Sequence, residues 1–473
     1  MQAKQSQARL GYAECSRDYA NQTVMVDKRT LEFILSDQQE ELEERGKEAL
    51  CRRTEETLVD LTSPQAQVVI GVRRSGKSTL CYQALHAVGV KSRASERRAV
   101  LARDMPSAAE IAKKFAYADF DDERLYDLKA EQLNDVLEVL YKIYGDFNYL
   151  FLDEIQNVKG WHLFVNRMLR KKMHVIITGS NAKLLSGELA THLSGRNKEI
   201  PLFPFSFREF CTQKQVETER KTTKAEGFRR AAFDEYMKQG GFPELMTIAD
   251  NKSYVKDLVN NILQRDIEQR YKVKHKAAFE SLAHHLLNNA PTIVVTRDLT
   301  NTFGFKSEHT AKNYVNYLKQ AYMLLGVQKY STKSKVRVAQ EKVYAIDVAM
   351  MNRRENAFAG DNLGHRLETL VLIHLMRKCK MEGLDVYYLN ERSGECDFVV
   401  CNGRTAVQAI QVSYDISAEK TRKRELSGLL LAAEKTGCKD LLLLTDHESG
   451  TVEAKGMTIE IQPVYEWCLE LGL

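Results

Sequence analysis

The segment GVRRSGKSTL, residues 71–80, combines two glycines with a lysine and two hydroxyl side chains. Gly71 and Gly76 allow the backbone to curl tightly around an anion, because glycine tolerates positive φ and has no Cβ. Main-chain N–H groups of such a loop, and of the helix that it opens, bind phosphates. Lys77 would reach the β- and γ-phosphates, and Ser78 Oγ would bind Mg²⁺. The other residues that we expect around the phosphates are Arg73, Arg74, Ser75 and Thr79.

A second motif, NYLFLDEIQ (148–156), predicts a buried strand that ends in two carboxylates. Asp153 is placed to hold Mg²⁺ through water, as in other phosphate-loop proteins. Glu154, one residue later, is placed to orient and deprotonate the attacking water. Together with the phosphate loop, this pair predicts a nucleoside triphosphate hydrolase rather than a kinase.

A third run, HVIITGSNAKLL, predicts another strand followed by the polar pair Ser180-Asn181. One of these side chains, with Asn181 as our candidate, would contact the γ-phosphate and the lytic water. Further along, Arg196 lies in a glycine-containing turn before a short strand. Its guanidinium could act catalytically on a γ-phosphate in its own subunit or in a neighbouring one. An ordinary surface arginine is an equally good interpretation.

The elements that must position these residues follow from the alternation of short apolar strands with helices over residues 61–210. That alternation predicts a parallel α/β sheet, the ATPase core. A charged helical segment, residues 1–60, precedes it, and an amphipathic helical region, residues 211–272, follows as a lid over the nucleotide. The last lid helix carries Arg265 and Arg270, and either could sense the nucleotide or both could be surface charges.

Residues 273–345 read as helices followed by a strand, a basic tip and a second strand, which is typical of a winged helix. In that fold one helix enters the major groove of duplex DNA and the wing contacts the backbone. Winged helices also serve as protein–protein modules, and the sequence does not separate the two uses. The cations that we expect at a DNA contact are Lys312, Lys333, Lys335 and Arg337.

Residues 346–473 form a second α/β region with a nuclease-like pattern. Glu368 on a helix, Asp397 on a strand and Gln411 on the next strand match the metal-binding positions of the restriction-endonuclease-like fold. The third carboxylate is an amide here, and the activating lysine expected two residues later is Ser413. We therefore predict a degenerate domain that does not cut.

The composition of the whole chain excludes several other classes. With 44% hydrophobic and 28% charged residues and a net charge of +5, the 473 residues are typical of globular protein. Nine scattered cysteines without a CxxC motif predict neither a disulfide framework nor a zinc site. No apolar run approaches the ~18 residues of a membrane span, and the first 20 residues lack the apolar core of a signal peptide. We expect a cytoplasmic protein.

As a set, the motifs resemble a family of prokaryotic AAA-type ATPases of the P-loop class, which join a Walker ATPase to a C-terminal domain with a restriction-endonuclease-like half. The resemblance implies ATP rather than GTP, with Lys77 and Ser78 on phosphate and Mg²⁺, Asp153 on Mg²⁺ and Glu154 as catalytic base. It also implies a winged-helix segment. The segments that carry the resemblance are GVRRSGKSTL, FDDERL, LFLDEIQNVKGWHLFVNRML, IITGSNAKLLSGELATHLSGR, PLFPFSFREF, GGFPEL and GECDFVV.

The leading hypothesis is an Mg-ATP-driven switch that acts on double-stranded DNA or on a protein client. Closing the lid on the γ-phosphate would change the contacts offered by the downstream domains. One alternative is an ATP-dependent nuclease that uses the C-terminal domain. Another is a protein-interaction switch without nucleic acid. If Arg196 acts on a neighbouring subunit, the protein is a homo-oligomer.

Overall fold

The fold is taken from a computed structural model that describes residues 26–45, 50–84, 115–180, 193, 195–331, 340–351 and 363–473. Several residues of interest lie outside these ranges: the segment 89–110, the candidate phosphate contact Asn181, and the wing residues Lys333, Lys335 and Arg337.

The first sheet in the described part of the chain is parallel throughout. Its strands are β1 (Ala66–Ile70), β2 (Phe115–Asp119), β3 (Tyr149–Asp153), β4 (His174–Gly179) and β5 (Asn197–Pro201). They lie in the order β2, β3, β4, β1, β5. Since β4 lies between β1 and β3, the carboxyl ends of these three strands meet at one edge. The polar segments that follow them must therefore converge there.

The helices that pack on this sheet are α1 (Lys28–Arg45), α2 (residues 77–84), α3 (Leu133–Tyr144) and α4 (Trp161–Arg170). Leu31, Ile34 and Leu35 of α1 recur at the spacing of one helix face and are almost completely buried. They join α3 and the sheet in one apolar cluster. The N-terminal helix is thus part of the ATPase core.

Helix α5 (Phe207–Gln213) spans the boundary between the predicted core and the predicted lid. Helices α6 (Thr223–Gln239) and α7 (Asn251–Asn261) lie within residues 211–272, the segment that we predicted as a lid and call the lid below. Helix α7 continues through a π-helical stretch, Ile262–Glu268, into a last turn, Gln269–Tyr271. Such stretches are rare and often occur at functional sites. This one carries Asp266 towards the phosphate loop.

The second sheet contains strands from both predicted downstream units. Its strands are β6 (Thr292–Ile293), β7 (Leu324–Lys329), β8 (Glu341–Ala345), β9 (Asp385–Glu391), β10 (Gly394–Asn402), β11 (Thr405–Val412), β12 (Leu441–Thr445), β13 (Gly450–Ala454) and β14 (Met457–Pro463). They lie in the order β13, β14, β12, β11, β10, β9, β7, β8, β6. The unit that we predicted for residues 273–345 and the C-terminal unit are joined where β7 pairs in parallel with β9. The two units therefore share one sheet.

The helices around the second sheet are α8 (Lys276–Asn288), α9 (Thr296–Phe303), α10 (Glu308–Gln320), α11 (Leu363–Glu382), α12 (Glu419–Thr436) and α13 (Val464–Glu470). Helix α11 is buried along most of its length and packs in the same apolar cluster as the lid. None of the helices in the described ranges has both the length and the apolar composition that crossing a bilayer requires.

The lid is fastened to the second sheet through the motif GGFPEL. The N–H of Gly241 donates to Asp347 at 2.8 Å, and its carbonyl accepts from the N–H of Phe205 at 2.6 Å. A Cβ at residue 241 would lie 2.4 Å from the carbonyl oxygen of Phe205, so only glycine fits. The lid, the second sheet and the segment after β5 consequently form one packed body.

Candidate nucleotide-binding site

The phosphate loop follows β1 and opens helix α2, as the sequence predicted. A Cβ at Gly71 would lie 2.2 Å from the carbonyl oxygen of Leu202, so the loop packs too closely on the chain after β5 for any side chain there. Gly76 has φ +91°, and Arg74 has φ 67°, so the loop turns through the left-handed region twice. These conformations allow successive N–H groups to point to one centre.

Asp153 and Glu154 stand at the carboxyl end of β3, and Thr178 of β4 holds both. The hydroxyl of Thr178 donates to Asp153 Oδ1 and accepts from the N–H of Glu154 at 3.1 Å. Glu154 has φ 48° and ψ 35°, an unusual conformation for a side chain of this size. The turn carries its carboxylate back over the edge of the sheet, where Gln156 and Ser180 donate to Oε2.

Lys77 is 6% exposed and lies between the loop and the carboxylate of Glu154. Its Nζ is 3.6 Å from Glu154 Oε1 and donates to the carbonyl oxygen of Val72 at 3.2 Å. A lysine that is buried so deeply needs a negative partner, and Glu154 supplies it here. A γ-phosphate would compete for the same ammonium group.

The acidic side chains at this edge have shifted pKa values. Burial, together with the adjacent charge of Glu154, raises the pKa of Asp153. Burial and the facing Asp153 raise the pKa of Asp119, the last residue of β2, to about 8. For Glu154, burial is outweighed by the charges of Lys77 and Arg73, and its pKa is lowered. The edge thus combines the carboxylate of Glu154, whose ionised form is favoured, with two crowded carboxyl groups whose neutral forms are favoured unless a positive charge is near.

The two arginines of the loop, which we expected at the phosphates, are paired with acids from other elements. Arg73 Nε lies 3.3 Å from Asp266 of the π-helical stretch, and its NH1 lies 3.4 Å from Asp121. Arg74 NH1 lies 2.9 Å from Glu244 of the GGFPEL motif. The lid therefore contacts the phosphate loop through ion pairs.

A cavity of about 470 Å³ lies over the loop, within the size range of small-molecule sites. Two observations fit Mg-ATP: the glycine-containing loop along the cavity, and the hydrogen bond between Ser78 and Asp153. Mg²⁺ is usually held by one or two carboxylates together with substrate phosphates. The lining includes Arg73, Arg74, Gly76, Lys77, Ser78, Thr79, Tyr117, Asp119, Asp121, Asp153, Glu154 and Glu244.

Three arginines proposed from the sequence lie at different distances from this cavity. Arg196 is exposed at the amino end of β5, whose partner residues in β1 begin at Ala66. It is therefore about one strand length, ~17 Å, from the phosphate loop of its own chain. Arg265 is exposed, whereas Arg270 has a buried NH1 without a hydrogen-bond partner in the described ranges, and its charge acts on Asp266.

A buried charge cluster, absent from our sequence prediction, lies behind the loop: Arg53, Glu55, Glu209 and Arg377. Arg53 NH1 donates to the carbonyl oxygen of Ser75 in the phosphate loop at 2.9 Å. Its Nε donates to Glu209 at 2.9 Å. Arg377, on α11, donates to Glu55 at 2.8 Å and to Glu209 at 3.4 Å. The cluster thus connects the loop to the C-terminal unit.

The carboxylate at the centre of this charge cluster is strongly held in its ionised form. Burial would raise the pKa of Glu209, but Arg53 and Arg377 outweigh it, and the pKa is lowered to about 2. Beside the cluster, burial and Arg377 lower the pKa of His374 to about 4, so this imidazole is neutral. His374 Nε2 accepts from the N–H of Phe207 at 3.1 Å.

The nuclease-like residues Glu368, Asp397 and Gln411 are brought together in the second sheet. Lys342 of β8 joins them, with its Nζ 2.7 Å from Glu368 and 3.7 Å from Asp397. Gln411 accepts from the N–H of Asp397 at 3.2 Å and donates to Glu425 at 2.7 Å. In the described part of the chain, no group of three or more His, Cys, Asp or Glu side chains is arranged to hold a metal ion.

Residues 63–211 match a family described as AAA domain, and residues 230–360 match a domain of unknown function. The uncharacterized protein MJ1544 of Methanocaldococcus jannaschii is 30% identical over 461 residues, which cover 94% of this chain and 96% of the relative. An uncharacterized protein of Haemophilus influenzae is 29% identical over 413 residues, covering 85% and 94% of the two chains. The AAA-type core expected from the sequence is confirmed.

Among solved structures, the replication initiator DnaA bound to AMPPCP and single-stranded DNA aligns with 55% of this chain and 83% of its own. The identity is 14% and the TM-score 0.23. A similarity of this size carries no argument about the downstream units or about a ligand.

We predict that Glu209→Gln lowers the free energy of unfolding by about 3 kcal/mol, because two buried guanidinium groups lose their shared charge. The pKa of Glu209 is lower in the folded chain, so its contribution is complete above pH ~4.5 and declines as the pH falls towards 2. Urea unfolding between pH 7 and pH 3 measures both effects. The variant should show a shallower acid loss, by up to about 1.4 kcal/mol per pH unit.

The matched control for this prediction is Glu235→Gln, which removes the acid of an exposed pair with Lys214. It should change the free energy of unfolding by less than ~1 kcal/mol. Equal effects of the two substitutions would contradict a central role for the buried charge cluster.

Proposed function

We propose that this chain, which belongs to the same family as the M. jannaschii protein MJ1544, binds Mg-ATP and hydrolyses it as a nucleotide-driven switch. The observation that carries this proposal is the convergence of Lys77, Asp153 and Glu154 at the end of the cavity over the phosphate loop. The AAA domain family matched by the core supports it.

In the proposed reaction, Lys77 leaves Glu154 and binds the β- and γ-phosphates. Ser78 and Asp153 would hold Mg²⁺, which neutralises charge on the phosphates. Glu154 then accepts a proton from the water that attacks the γ-phosphorus, while the bond from that phosphorus to the β-phosphate oxygen breaks and ADP leaves. Hydrogen bonds from Gln156 and Ser180, which do not depend on Lys77, favour the ionised form of this carboxylate. Ser180 fixes the carboxylate from β4. Arg196, distant from its own loop, would act only on a neighbouring subunit.

The switch would operate through the pairs that tie the loop to other elements. A bound triphosphate attracts Arg73, which is now held by Asp266 of the lid. If Arg73 exchanges Asp266 for the triphosphate, the conformation of the π-helical stretch would change, and with it that of the segment that follows. On the other side, any movement of Ser75 is passed through Arg53 to Glu209 and to Arg377 of α11. Both routes are contiguous contacts of charged groups.

We further propose that residues 273–345 form a winged helix. The elements α8, β6, α9, α10, β7 and β8 follow one another in the required order, and β8 pairs antiparallel with both other strands. Lys312 of α10 is exposed and available to a partner. Lys319 is not, because it is paired with Glu341.

For the C-terminal unit we infer a constellation that does not cut. An active nuclease of this pattern has a lysine at the position of Ser413. Lys342, which contacts Glu368, brings an ammonium group to the same place, and this contact favours a nuclease. However, Lys342 compensates one of the two charges of Glu368 and Asp397, and Gln411 brings no charge. One net negative charge is left, where a third carboxylate would leave two, and this weakens the site for a divalent cation.

We predict that Glu154→Gln binds Mg-ATP but turns it over at least ~100-fold more slowly, a usual loss for a general base. Lys77→Ala should abolish tight binding, because the ammonium group that meets the phosphates is lost. Phosphate release and binding of a fluorescent ATP analogue measure the two quantities.

Glu131→Gln, at an exposed position near α3, serves as the matched control and should keep full turnover. Undiminished binding by Lys77→Ala would overturn the assignment of the phosphate loop. Undiminished turnover by Glu154→Gln would overturn the assignment of the base.

We predict that the purified protein does not nick supercoiled plasmid in the presence of Mg²⁺ or Mn²⁺. Wild type and Asp397→Ala should give the same background on an agarose gel. Metal-dependent nicking by wild type that disappears in Asp397→Ala would establish the nuclease instead.

A further inference from the structure

A basic cleft opens between the end of the lid and helix α10. It has a volume of about 280 Å³. One wall is the end of the last lid turn with the segment that follows it, and the other is α10 with Lys306, the residue directly before its cap Ser307. The polar side chains of the lining, apart from its tyrosines, are Lys272, Lys274, His275, Lys306, Thr310 and Asn313.

The charge of this basic cleft is of one sign. Lys272, Lys274 and Lys306 are exposed, and none of them has an ion pair with a residue of the described ranges. The nearest paired lysine, Lys276, is bound to the buried Glu268. Three cations without acids in one concave surface raise the local concentration of anions.

The shape of the basic cleft is fixed by aromatic packing. The rings of Tyr271 and Tyr317 are stacked, with centroids 4.1 Å apart and planes within 5°. Tyr314 is buried beneath them and packs edge-on against Phe279 and Phe305. The cleft is therefore rigid, and its two walls, one from the lid and one from α10, are held together.

We propose that this basic cleft binds the phosphodiester backbone of nucleic acid. Lysine ammonium groups, a threonine hydroxyl and an asparagine amide are the side chains that proteins use to contact phosphate oxygens. Binding of an acidic protein would need an apolar anchor pocket at its centre, and the apolar lining residue Val273 is buried. Phosphate contacts of this kind are independent of sequence and sensitive to salt.

The inference deepens the proposed switch, since it gives that switch a partner class. The cleft begins six residues after Asp266, whose carboxylate holds Arg73 of the phosphate loop. The π-helical stretch that contains Asp266 runs directly into the wall that carries Lys272. The nucleotide and the backbone phosphates would thus act on the two ends of one short segment.

The test is fluorescence anisotropy with the full-length, nucleotide-free protein and a labelled 20-base-pair duplex, over a range of salt concentrations. The triple variant Lys272→Gln, Lys274→Gln, Lys306→Gln should bind at least ~10-fold more weakly. The plot of log association constant against log salt concentration should become less steep by about 3 in slope, since each lost phosphate contact removes about 0.9. The same measurement with a labelled single strand of the same length shows which of the two forms of nucleic acid binds more tightly.

The matched control removes three exposed lysines of the C-terminal unit, Lys420, Lys439 and Lys455, so that both variants lose the same charge. It should bind within about twofold of wild type. Equal losses in the two variants, unchanged binding by the cleft variant, or no binding by wild type would each overturn the proposal. Tighter binding of a labelled polyglutamate peptide than of either nucleic acid would overturn it as well.

This experiment is separable from the test of hydrolysis because no nucleotide is present. Mg-ATP turnover of the cleft variant, measured in parallel, should stay at the wild-type value without nucleic acid. If neither wild type nor any variant hydrolysed Mg-ATP, the proposed ATPase would be wrong. The anisotropy result would still decide whether the cleft binds nucleic acid.

Discussion

The guanidinium of Arg53 donates hydrogen bonds to three parts of the chain: the phosphate loop at Ser75, the segment after β5 at Phe203, and Glu209 of helix α5. It is 4% exposed, so each of these bonds stands in for water that the group has lost. Glu209 also pairs with Arg377 of helix α11. The phosphate loop, through Arg53, and helix α11, through Arg377, are therefore held by the same buried carboxylate. The nucleotide site is for this reason part of the same packed structure as the C-terminal unit.

The cations that a triphosphate requires are already paired within the chain. Lys77 faces Glu154, Arg73 faces Asp266 and Arg74 faces Glu244. In the proposed function, binding of ATP would be an exchange of partners, and part of its free energy would go into releasing these acids. Asp266 and Glu244 belong to the lid, so their release would act on the position of the lid. Glu154, released from Lys77, would become available to water.

The sequence predicted the parts of the site that are local in the chain. Glycine spacing located the phosphate loop, and a strand ending in Asp153-Glu154 located the carboxylates. The sequence did not predict Lys342, because its contact with Asp397 joins segments that are far apart in the chain. Arg53 was missed for a similar reason: nothing in a charged segment with two adjacent arginines shows that one of them will be buried. Long-range packing, rather than propensity, decides such positions.

Transmission from the phosphate loop to the C-terminal unit is measured by hydrogen exchange of the Glu154→Gln variant, with and without Mg-ATP, which reports the protection of each range of residues. We expect altered protection in residues 71–84 and also in residues 205–213 and 363–382, which hold Glu209 and Arg377. Changes confined to residues 71–84 and 149–180 would contradict this expectation, since the nucleotide would then be bound without any effect on the buried charge cluster.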